Sequence, residues 1–336
     1  MINGKKCIGV LTSGGDSPGM NAAIRAVVRS ALTKDMIPLG VIKGYQGLLD
    51  KDFVVMNAQS VSNIIQKGGT ILKSARCMEF YEDKYRRIAY QNAIDAGIDG
   101  LVVIGGDGSY NGAKFLSELG LPCIGLPGTI DNDIACTEYT IGFDTAMNTV
   151  IENVDKLNDT SKSHERCSVV EVMGRNAGHV ALGAGIATGA IAIMTNELDT
   201  DIEDVAEHIK KARAIGKDHF IVIVSEGYSK AKAKETGLKE YEIPNRVARQ
   251  IQEQTGVDSR ATILGHVQRG GSPSLRDRVV ATQMGHAAVE LLEKGIGNRV
   301  IALKNNEIVD FDIQEALQMK KGLDMDLYQT LLDTTF

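Results

Sequence analysis

The feature that most constrains this chain is a repeated alternation of short apolar runs with helical patterns. The runs include Cys7 to Leu11, Ile37 to Ile42, Leu101 to Ile104 and Cys123 to Leu126. Strand-length runs of this kind, separated by helices, are typical of a parallel sheet that is covered by helices on both faces. The pattern therefore predicts a doubly wound α/β fold. A new unit of the same kind begins near Gly142.

Composition narrows the class of protein. The 336 residues are enough for about two domains. The net charge is -6, and the 43 acidic and 37 basic residues are spread without a basic tract. Nothing in this charge pattern indicates nucleic acid or an anionic membrane as a partner.

The location of the protein is also predicted from the sequence. The N-terminal residues MINGKKCIGVLTSGGD lack the apolar core and cleavage site of a signal peptide, and the run from Val180 to Met194 is too short to span a bilayer. The five cysteines have no C-x-x-C spacing. Reduced thiols and a cytoplasmic protein are the interpretation we favour.

The sequence PGTIDND, from Pro127 to Asp133, follows an apolar run directly. Ligands of open α/β sheets bind beyond the carboxyl ends of strands. In an extended segment Asp131 and Asp133 would point to the same side. Two such carboxylates repel each other unless a metal, an arginine or a hydrogen-bonding substrate is present. A polar turn with solvated aspartates is the alternative, since Asp and Asn are common in turns.

Two glycine turns, TSGGDSPG and GGDGSYNG, each precede a predicted helix. We expect Ser17 to cap the first helix and the second to begin at about Tyr110. A backbone without Cβ atoms can approach a phosphate chain closely. Neither turn matches G-x-G-x-x-G or G-x-x-x-x-G-K-[ST], which argues against hydride chemistry and a conventional P-loop. Asp107 suits Mg²⁺, which takes one or two carboxylates at nucleotide phosphates; a turn aspartate bonded to its own backbone is the alternative.

Three further segments combine glycine with a cation. They contain Arg76 in GGTILKSAR, Arg175 in VEVMGRNAGH, and His266 with Arg269 in GHVQRGGSP. An arginine flanked by glycine at the end of a strand suits a phosphate group. A solvated arginine, and a core or capping role for His266, remain alternatives. Between Tyr228 and Glu242 the sequence is rich in lysine and glutamate without periodicity, and we expect a solvated loop.

Together these motifs resemble the bacterial ATP-dependent 6-phosphofructokinase family over essentially the whole chain. The matching motifs occur in the order of that family: GGDSPGMNAAIR, GGTILKSAR, GGDGSYNGA, LPGTIDND, GFDTAMNT, VVEVMGRNAGH and LGHVQRGGSP. The resemblance implies two doubly wound, Rossmann-like three-layer domains with the active site in the cleft between them. It implies a nucleotide-binding domain over residues 1–142 plus about 268–318, and a sugar-phosphate-binding domain over 143–267 plus about 319–336.

The resemblance also implies a function. It is that of a glycolytic kinase that transfers the γ-phosphoryl group of ATP to the 1-hydroxyl of fructose 6-phosphate, with Mg²⁺ as cofactor. It further implies a homotetramer whose active sites are shared between subunits.

Roles carry over from the family residue by residue. Asp131 matches the base that takes the proton of the sugar hydroxyl, and Asp107 matches the Mg²⁺ ligand. The other catalytic positions match Thr129, Asp133, Arg76 and Arg175. The ATP-binding positions match Gly15, Tyr45, Arg76, Cys77, Gly106, Asp107, Gly108, Ser109 and Gly112. The substrate-binding positions match Thr129, Ile130, Asp131, Arg166, Met173, Gly174, Arg175, Glu226, Arg260, His266, Val267, Gln268 and Arg269, of which Arg166 and Arg260 match arginines that a neighbouring subunit contributes.

Three other functions are compared with this one. Pyrophosphate-dependent members of the family typically carry Asp where this chain has Gly108 and Lys where it has Gly128, so the two glycines favour ATP. NAD and diacylglycerol kinases share a GGDG turn, but PGTIDND followed by MGRNAGH separates this chain from them. A catalytically silent nucleotide sensor would be expected to have lost Asp107, Asp131 or Arg175, and all three are present.

The regulatory site of the family matches this chain only in part. Arg25, Arg29 and Lys217 fit the cations that bind the effector phosphates. Other cation positions hold Ala58, Asn158 and Ile215, and Ile191 replaces a glutamate that binds the Mg²⁺ of the effector. Each lost cation should cost about 1.5 to 3 kcal/mol of charge-assisted bonding.

We therefore predict a weak or absent response to ADP and phosphoenolpyruvate. Saturation curves for fructose 6-phosphate should be nearly the same with and without each effector, because too few cations remain to bind the effector phosphates. A large change in cooperativity on adding either compound would contradict this prediction.

Overall fold

The computed structural model describes residues 4–198 and 200–335. The domains predicted above also include residues 1–3, 199 and 336, which lie outside the described residues. The chain divides into two compact units. Unit 1 consists of the described residues up to Ile130, Ile134–Thr145 and Arg269–Lys321, and unit 2 of Asp131–Asp133, Ala146–Gln268 and the described residues from Gly322 onward. That unit 1 binds the nucleotide and unit 2 the sugar phosphate stays a prediction.

Strands and helices alternate along most of the chain. In chain order the elements are β1 (Cys7–Thr12), α1 (Met20–Thr33), β2 (Ile37–Val41), α2 (Tyr45–Asp50), β3 (Phe53–Val55), α3 (Asp83–Asp95), β4 (Gly100–Gly105), α4 (Asp107–Glu118), β5 (Cys123–Pro127), α5 (Phe143–His164), β6 (Cys167–Val172), α6 (His179–Ala187), β7 (Ala192–Met194), α7 (Ile202–Ala214), β8 (Phe220–Ser225), α8 (Glu226–Thr236), α9 (Ile243–Thr255), β9 (Ser259–Ile263), α10 (Leu275–Glu293), β10 (Arg299–Lys304), β11 (Glu307–Asp312), α11 (Ile313–Gln318) and α12 (Met325–Asp333). Short 3-10 helices span Met78–Tyr81, Glu240–Glu242 and Gly265–Arg269. None of the helices in the described part of the chain is long and apolar enough to cross a membrane.

The sheet of unit 1 has seven strands in the order β11-β10-β5-β4-β1-β2-β3. Its five inner strands are parallel, which confirms the predicted α/β class. The edge strands β3 and β11 are antiparallel and were not predicted. Asn305 and Asn306, both with positive φ, form the two-residue turn between β10 and β11. Adjacent asparagines are a hairpin signal that the sequence did contain.

Burial explains the parallel part of this sheet. Every residue of β1, β4 and β5 is buried, as expected for strands covered by helices on both faces. On one face α1 packs closely against α10. A Cβ atom on Gly285 of α10 would lie 2.8 Å from the Ala23 carbonyl oxygen and 2.8 Å from the Ala26 Cβ. The absence of a side chain at this glycine therefore allows the two helices to approach each other.

The sheet of unit 2 has four strands in the order β7-β8-β6-β9, and all of them are parallel. Each residue of β8 is buried. In the core of unit 2 the strands pack against apolar residues of α7 and α9, including Val205, Ile209, Val247 and Ile251. This arrangement again belongs to the predicted class.

The segment from Tyr228 to Glu242 is not a solvated loop, so that expectation was wrong. Helix α8 and the 3-10 helix Glu240–Glu242 occupy most of it. The Tyr228 amide donates a hydrogen bond to Ser225 Oγ at 3.1 Å, which caps the helix. Charged residues cover its exposed side, so hydrophobic periodicity alone did not indicate a helix.

Two helix starts also differ from expectation. Helix α1 begins at Met20 after Gly19, whose φ is 113°, and Ser17 is not its cap. Helix α4 begins at Asp107 and not near Tyr110. Asp107 and Gly108 are thus part of the first helical turn, where an acidic side chain interacts favourably with the helix dipole.

A buried carboxylate joins α10 to the segment before α5. Asp277 has no exposed surface, and its Oδ1 accepts hydrogen bonds from the Tyr139 hydroxyl at 2.5 Å and the Gly142 amide at 2.6 Å. Its Oδ2 accepts from the Thr145 amide at 2.9 Å and from Thr145 Oγ1. Burial raises the pKa of Asp277, and these donors act against the increase. The carboxylate therefore orders both the irregular segment before α5 and the first turn of that helix.

We predict that Asp277→Ala strongly destabilises the protein. The Tyr139 hydroxyl and two backbone amides would lose their acceptor while remaining buried, at about 1 to 3 kcal/mol each, so the total loss should be about 3 kcal/mol or more. Urea unfolding followed by circular dichroism measures the change. Asp95→Ala, at an exposed position of α3, is the control. Equal midpoints for the two variants would show that the network contributes little.

Candidate active site

The two glycine turns of unit 1 meet at one place in its sheet. Strands β1 and β4 are neighbours, with Thr12 opposite Ile104 at their carboxyl ends. From this pair the sheet continues through β2 on one side and β5 on the other. Such a reversal of strand order is where open α/β sheets bind ligands. TSGGDSPG leaves β1 and GGDGSYNG leaves β4, so the fold brings both turns to this point.

The turns pack against each other through backbone atoms. A Cβ atom on Gly105 would lie 2.4 Å from Ser109 Oγ and 2.6 Å from the Ser13 carbonyl oxygen. Gly14 has a φ of 84°. A Cβ on Gly108, in contrast, would have no atom within 4 Å. The first turn of α4 therefore borders open space at Gly108, whereas Gly105, at the end of β4, is tightly enclosed.

Tyr45 and Gly112, both matched to ATP-binding positions, contact each other in the interior of unit 1. Tyr45 is 5% exposed, and its hydroxyl donates a hydrogen bond to the Ser109 carbonyl oxygen. Its ring stacks on Phe80, with the ring centroids 4.3 Å apart. A Cβ on Gly112 would lie 2.5 Å from Tyr45 Cζ. This tyrosine therefore supports the first turns of α4 from the protein interior.

The segment that contains Arg76 lies against the first glycine turn. Ser74 Oγ donates a hydrogen bond to the Gly14 carbonyl oxygen at 2.9 Å, and Thr12 Oγ1 donates to the Lys73 carbonyl oxygen at 2.8 Å. Arg76 follows and is exposed. Cys77 is partly exposed, and burial is the main cause that raises the pKa of its thiol. These hydrogen bonds hold the segment of Arg76 beside the first glycine turn, which is one of the two turns predicted to contact the nucleotide.

Asp107 is the first residue of α4 and is partly buried. Burial and, next, the charge of Asp107 raise the pKa of the Cys136 thiol to about 11. Among the described residues, no group of three or more His, Cys, Asp or Glu side chains could hold a metal ion by itself. A single carboxylate still fits Mg²⁺ at a nucleotide, because that ion takes most of its ligands from phosphates and water.

Arg269, matched to a sugar-phosphate position, belongs to unit 1. Its Nη1 donates a hydrogen bond to the Asp16 carbonyl oxygen at 3.1 Å. A Cβ on Gly15 would lie 2.6 Å from the same nitrogen. Glycine at this position therefore leaves room for the guanidinium group beside the turn.

The PGTIDND segment is not extended, which corrects the expected geometry of its carboxylates. Asn132 has a φ of 50°, so Asp131 and Asp133 do not have the same-side geometry expected for an extended segment. Asp131 is 5% exposed, whereas Asp133 is only partly buried. Before them, Thr129 is partly buried and Ile130 is buried. The two aspartates therefore have different environments and are not an equivalent pair.

In unit 2 the central strand β6 pairs with β8 on one side and β9 on the other, all in parallel. The segments that follow these strands therefore leave from the same edge. They carry most of the predicted sugar-phosphate residues, namely Met173, Gly174, Arg175, Glu226, His266, Val267 and Gln268. A cavity of about 240 Å³ is lined by Glu171, Met173, Glu226, Ser229, Glu240, Tyr241, Gly265 and His266.

Hydrogen bonds connect these segments. The Arg175 amide donates to Glu226 Oε2 at 3.0 Å, and the Met173 amide donates to Gln268 Oε1 at 3.2 Å. Gln268 Nε2 donates to the Gly265 carbonyl oxygen at 3.1 Å, and the side chain is fully buried. Gln268 therefore holds two segments together, whereas Arg175 and His266 are exposed.

Five residues that line the cavity were not predicted as site residues from the sequence, namely Glu171, Ser229, Glu240, Tyr241 and Gly265. Ser229 Oγ donates a hydrogen bond to Glu171 Oε2. The pKa of Glu171 is raised to about 7, mainly by burial and then by the nearby charges of Glu226 and Glu240, against the effect of the Ser229 hydrogen bond. A lone glutamate in the apolar strand CSVVEV was a signal for this site. Glu240 and Tyr241 lay in the segment that we expected to be a loop.

Arg166 and Arg260 share the carboxylate of Asp258. Arg166 Nε lies 2.6 Å from Asp258 Oδ2, and Arg260 Nε lies 3.2 Å from Oδ1. Hydrogen bonds from Arg260 and Arg166 lower the pKa of Asp258, against the effect of burial. Arg260 also lines a separate cavity of about 670 Å³ with Arg249 and Gln252. The structure therefore does not place this arginine in the cavity that contains Glu226.

The candidate effector residues are divided between the units. Arg25 and Arg29 are one turn apart on α1 in unit 1. Lys217 follows α7 in unit 2, and burial lowers the pKa of its ammonium group. Neither unit by itself brings the three cations together.

The chain is similar to known proteins along most of its length. The family model described as Phosphofructokinase matches residues 7–292. A protein of Clostridium botulinum (strain Alaska E43 / Type E3) named ATP-dependent 6-phosphofructokinase is 52% identical over 324 residues, which are 96% of this chain and 97% of that protein. A protein of the same name from Bacillus cytotoxicus is 52% identical over 324 residues, covering 96% of this chain and 98% of that one.

Solved structures agree with these relatives. A phosphofructokinase from Saccharomyces cerevisiae has a TM-score of 0.88 and 36% identity, covering 98% of this chain and 50% of the yeast chain, so this chain spans half of the yeast chain. A pyrophosphate-dependent phosphofructokinase from Marinobacter aquaeolei has a TM-score of 0.84 and 20% identity, covering 96% of this chain and 86% of that one, and shares the fold. Because a family model covers most of the chain and relatives are about half identical over 96% of it, the chain belongs to the phosphofructokinase family.

Proposed function

We propose that the protein is an ATP-dependent 6-phosphofructokinase of glycolysis. It transfers the γ-phosphoryl group of ATP to the 1-hydroxyl of D-fructose 6-phosphate and releases ADP and fructose 1,6-bisphosphate. The observation that supports this most strongly is that the two glycine turns meet where the strand order of unit 1 reverses, between β1 and β4, with open space next to Gly108. The relatives that are 52% identical carry the same name as this activity.

Unit 1 binds ATP in this proposal. Backbone amides of the two turns and of the first turn of α4 contact the phosphates, since unpaired amides and the helix dipole attract anions. Arg76 neutralises charge on the phosphoryl group as it moves. Asp107 would hold Mg²⁺, which, when bound, supplies positive charge at the phosphate oxygens.

The phosphoryl acceptor is activated by Asp131. Its carboxylate accepts the proton of the 1-hydroxyl, the hydroxyl oxygen bonds to the γ-phosphorus, and the bond from that phosphorus to the oxygen of ADP breaks. Thr129 and Asp133 flank this base in the chain. Burial of Asp131 excludes water from around the base. A positioned base of this kind contributes about two to four orders of magnitude in rate.

Unit 2 binds fructose 6-phosphate. Its cavity contains an acceptor carboxylate, Glu226, and the exposed imidazole of His266. The exposed cation Arg175 does not line this cavity, but its backbone amide donates a hydrogen bond to Glu226. Carboxylates accept hydrogen bonds from sugar hydroxyls, whereas guanidinium groups bind phosphate. Arg269, which belongs to unit 1, is a further cation in the proposed set of substrate-binding residues.

We also propose a cytoplasmic homotetramer. All five cysteines are free, as expected for a reducing compartment. Arg166 and Arg260 are held by Asp258 away from the Glu226 cavity, which supports their assignment to the substrate of a neighbouring subunit. A tetramer in solution that loses activity on dissociation is the expected result.

ATP is the phosphoryl donor, and pyrophosphate is not. A Cβ on Gly128 would lie 2.9 Å from Ile104 Cγ2 and 3.1 Å from Met20 Cε, so a lysine there requires the core to shift. A coupled assay with ATP or pyrophosphate as donor, run with several sugar phosphates, tests the function. We expect rapid turnover with the combination of ATP and fructose 6-phosphate, and not with pyrophosphate or with the other sugar phosphates. Preference for pyrophosphate, or binding without turnover, would contradict the proposal.

We predict that Asp131→Ser lowers kcat by about two orders of magnitude or more, because the hydroxyl loses its base. Affinity for fructose 6-phosphate, measured by calorimetry, should change little. Asp131→Asn, which keeps the side-chain shape, should behave in the same way. A variant with normal turnover would refute the role of this residue.

We predict that Gly108→Asp raises the KM for ATP about tenfold or more, because a carboxylate would enter the open space and repel the phosphates. The fold should not suffer, since the Cβ meets no atom within 4 Å and an acidic residue suits the first helical turn. Gly108→Ala is the control, with a smaller effect on KM. An unchanged KM for ATP in the aspartate variant would place the nucleotide elsewhere.

A further inference from the structure

Glu226 is held by one donor at each carboxylate oxygen. The Arg175 amide donates to Oε2 at 3.0 Å, and Lys230 Nζ lies 2.6 Å from Oε1. Lys230 is one turn further along α8, so the pair has i,i+4 spacing. Each side chain is only 27% exposed. Two donors on opposite oxygens fix the rotation of the carboxylate about its last bond.

The surroundings of this ion pair are mostly acidic. Glu171, on β6, and Glu240, on the following 3-10 helix, line the same cavity as Glu226, with Tyr241 and His266 as its other titratable groups. Glu171 and Glu226 interact unfavourably when both are charged, whereas Lys230 acts in the opposite direction on the pKa of Glu171. Lys230 is thus a cation that offsets the carboxylates at this edge.

We propose that Lys230 is a positioning residue that keeps the Glu226 carboxylate oriented to accept hydrogen bonds from the hydroxyls of a phosphorylated sugar. Lys230 is not among the described residues that line the cavity, so it acts through Glu226. The inference rests on the proposed function of unit 2 and adds a residue that the motifs do not contain. It also gives helix α8, expected to be a solvated lysine-rich loop, a part in substrate binding.

Loss of this lysine has a predictable effect on binding. Glu226 would lose a charge-assisted hydrogen bond and could rotate away from its present orientation. The net charge of the cavity region would also become more negative, and this charge would repel the anionic sugar phosphate. As the pH rises through about 7, Glu171 loses its proton and adds to this charge. The defect should therefore increase with pH.

The test is Lys230→Met assayed at pH 6 and pH 8. We expect the KM for fructose 6-phosphate to rise about fivefold at pH 8 and less at pH 6, with kcat within about twofold of the wild type, on the scale of a partly exposed ion pair. Lys230→Arg should restore the KM. Lys232→Met is the matched control, because Lys232 lies on the same helix and pairs with Glu235 outside the cavity. This control should keep the wild-type KM at both pH values.

A second background shows whether Lys230 acts through Glu226. In Glu226→Gln, the further change Lys230→Met should add little to the KM. An equal increase in both backgrounds would mean direct contact with the ligand and would overturn the positioning role. An unchanged KM and pH profile in Lys230→Met would also overturn the positioning role, even if the unfolding midpoint of this variant falls. A wild-type protein without fructose 6-phosphate kinase activity would overturn the proposed function and this role together, whereas an active wild type with a normal Lys230→Met variant overturns the role alone.

Discussion

The parallel alignment of the inner strands is the constraint on which both candidate binding regions depend. Strands that run in the same direction end at the same edge of a sheet, and the helices that follow begin there with unpaired amides. In unit 1 this brings together the turns after β1 and β4, and in unit 2 the segments after β6, β8 and β9. Residues far apart in the chain become neighbours because the strands before them are hydrogen-bonded in register.

The two edges use this geometry for different chemistry. In unit 1 the glycines at positions 14 and 105 remove side chains, so the edge presents backbone and the start of α4. Such a surface suits a polyphosphate, whose many oxygens accept hydrogen bonds from amides. In unit 2 the edge carries Glu226 with the cations Arg175 and Lys230. Such a surface suits a ligand that combines hydroxyls with a phosphate.

Buried charge has to be balanced in both units. Asp277 satisfies its two oxygens with four donors and thereby orders the segment before α5. Glu226 satisfies its oxygens with an amide and a lysine, but stays partly exposed and available to a ligand. Glu171 has a hydroxyl donor, but burial and then its acidic neighbours raise its pKa to about 7. The same physical requirement therefore produces a structural residue, a binding residue and a pH-sensitive residue.

The sequence by itself determined the α/β class, the family and the identity of most candidate residues, because apolar runs and glycine turns are local signals that need no tertiary information. It did not determine which residues face a ligand. Tyr45 and Gln268 match binding positions but support the site from the interior, while Glu171 and Glu240 line the cavity although neither was predicted as a site residue. Helix α8 was missed because its exposed charges hide its period. Only the tertiary structure decided these points, since burial and contacts between distant segments arise from strand pairing and packing, which no local pattern encodes.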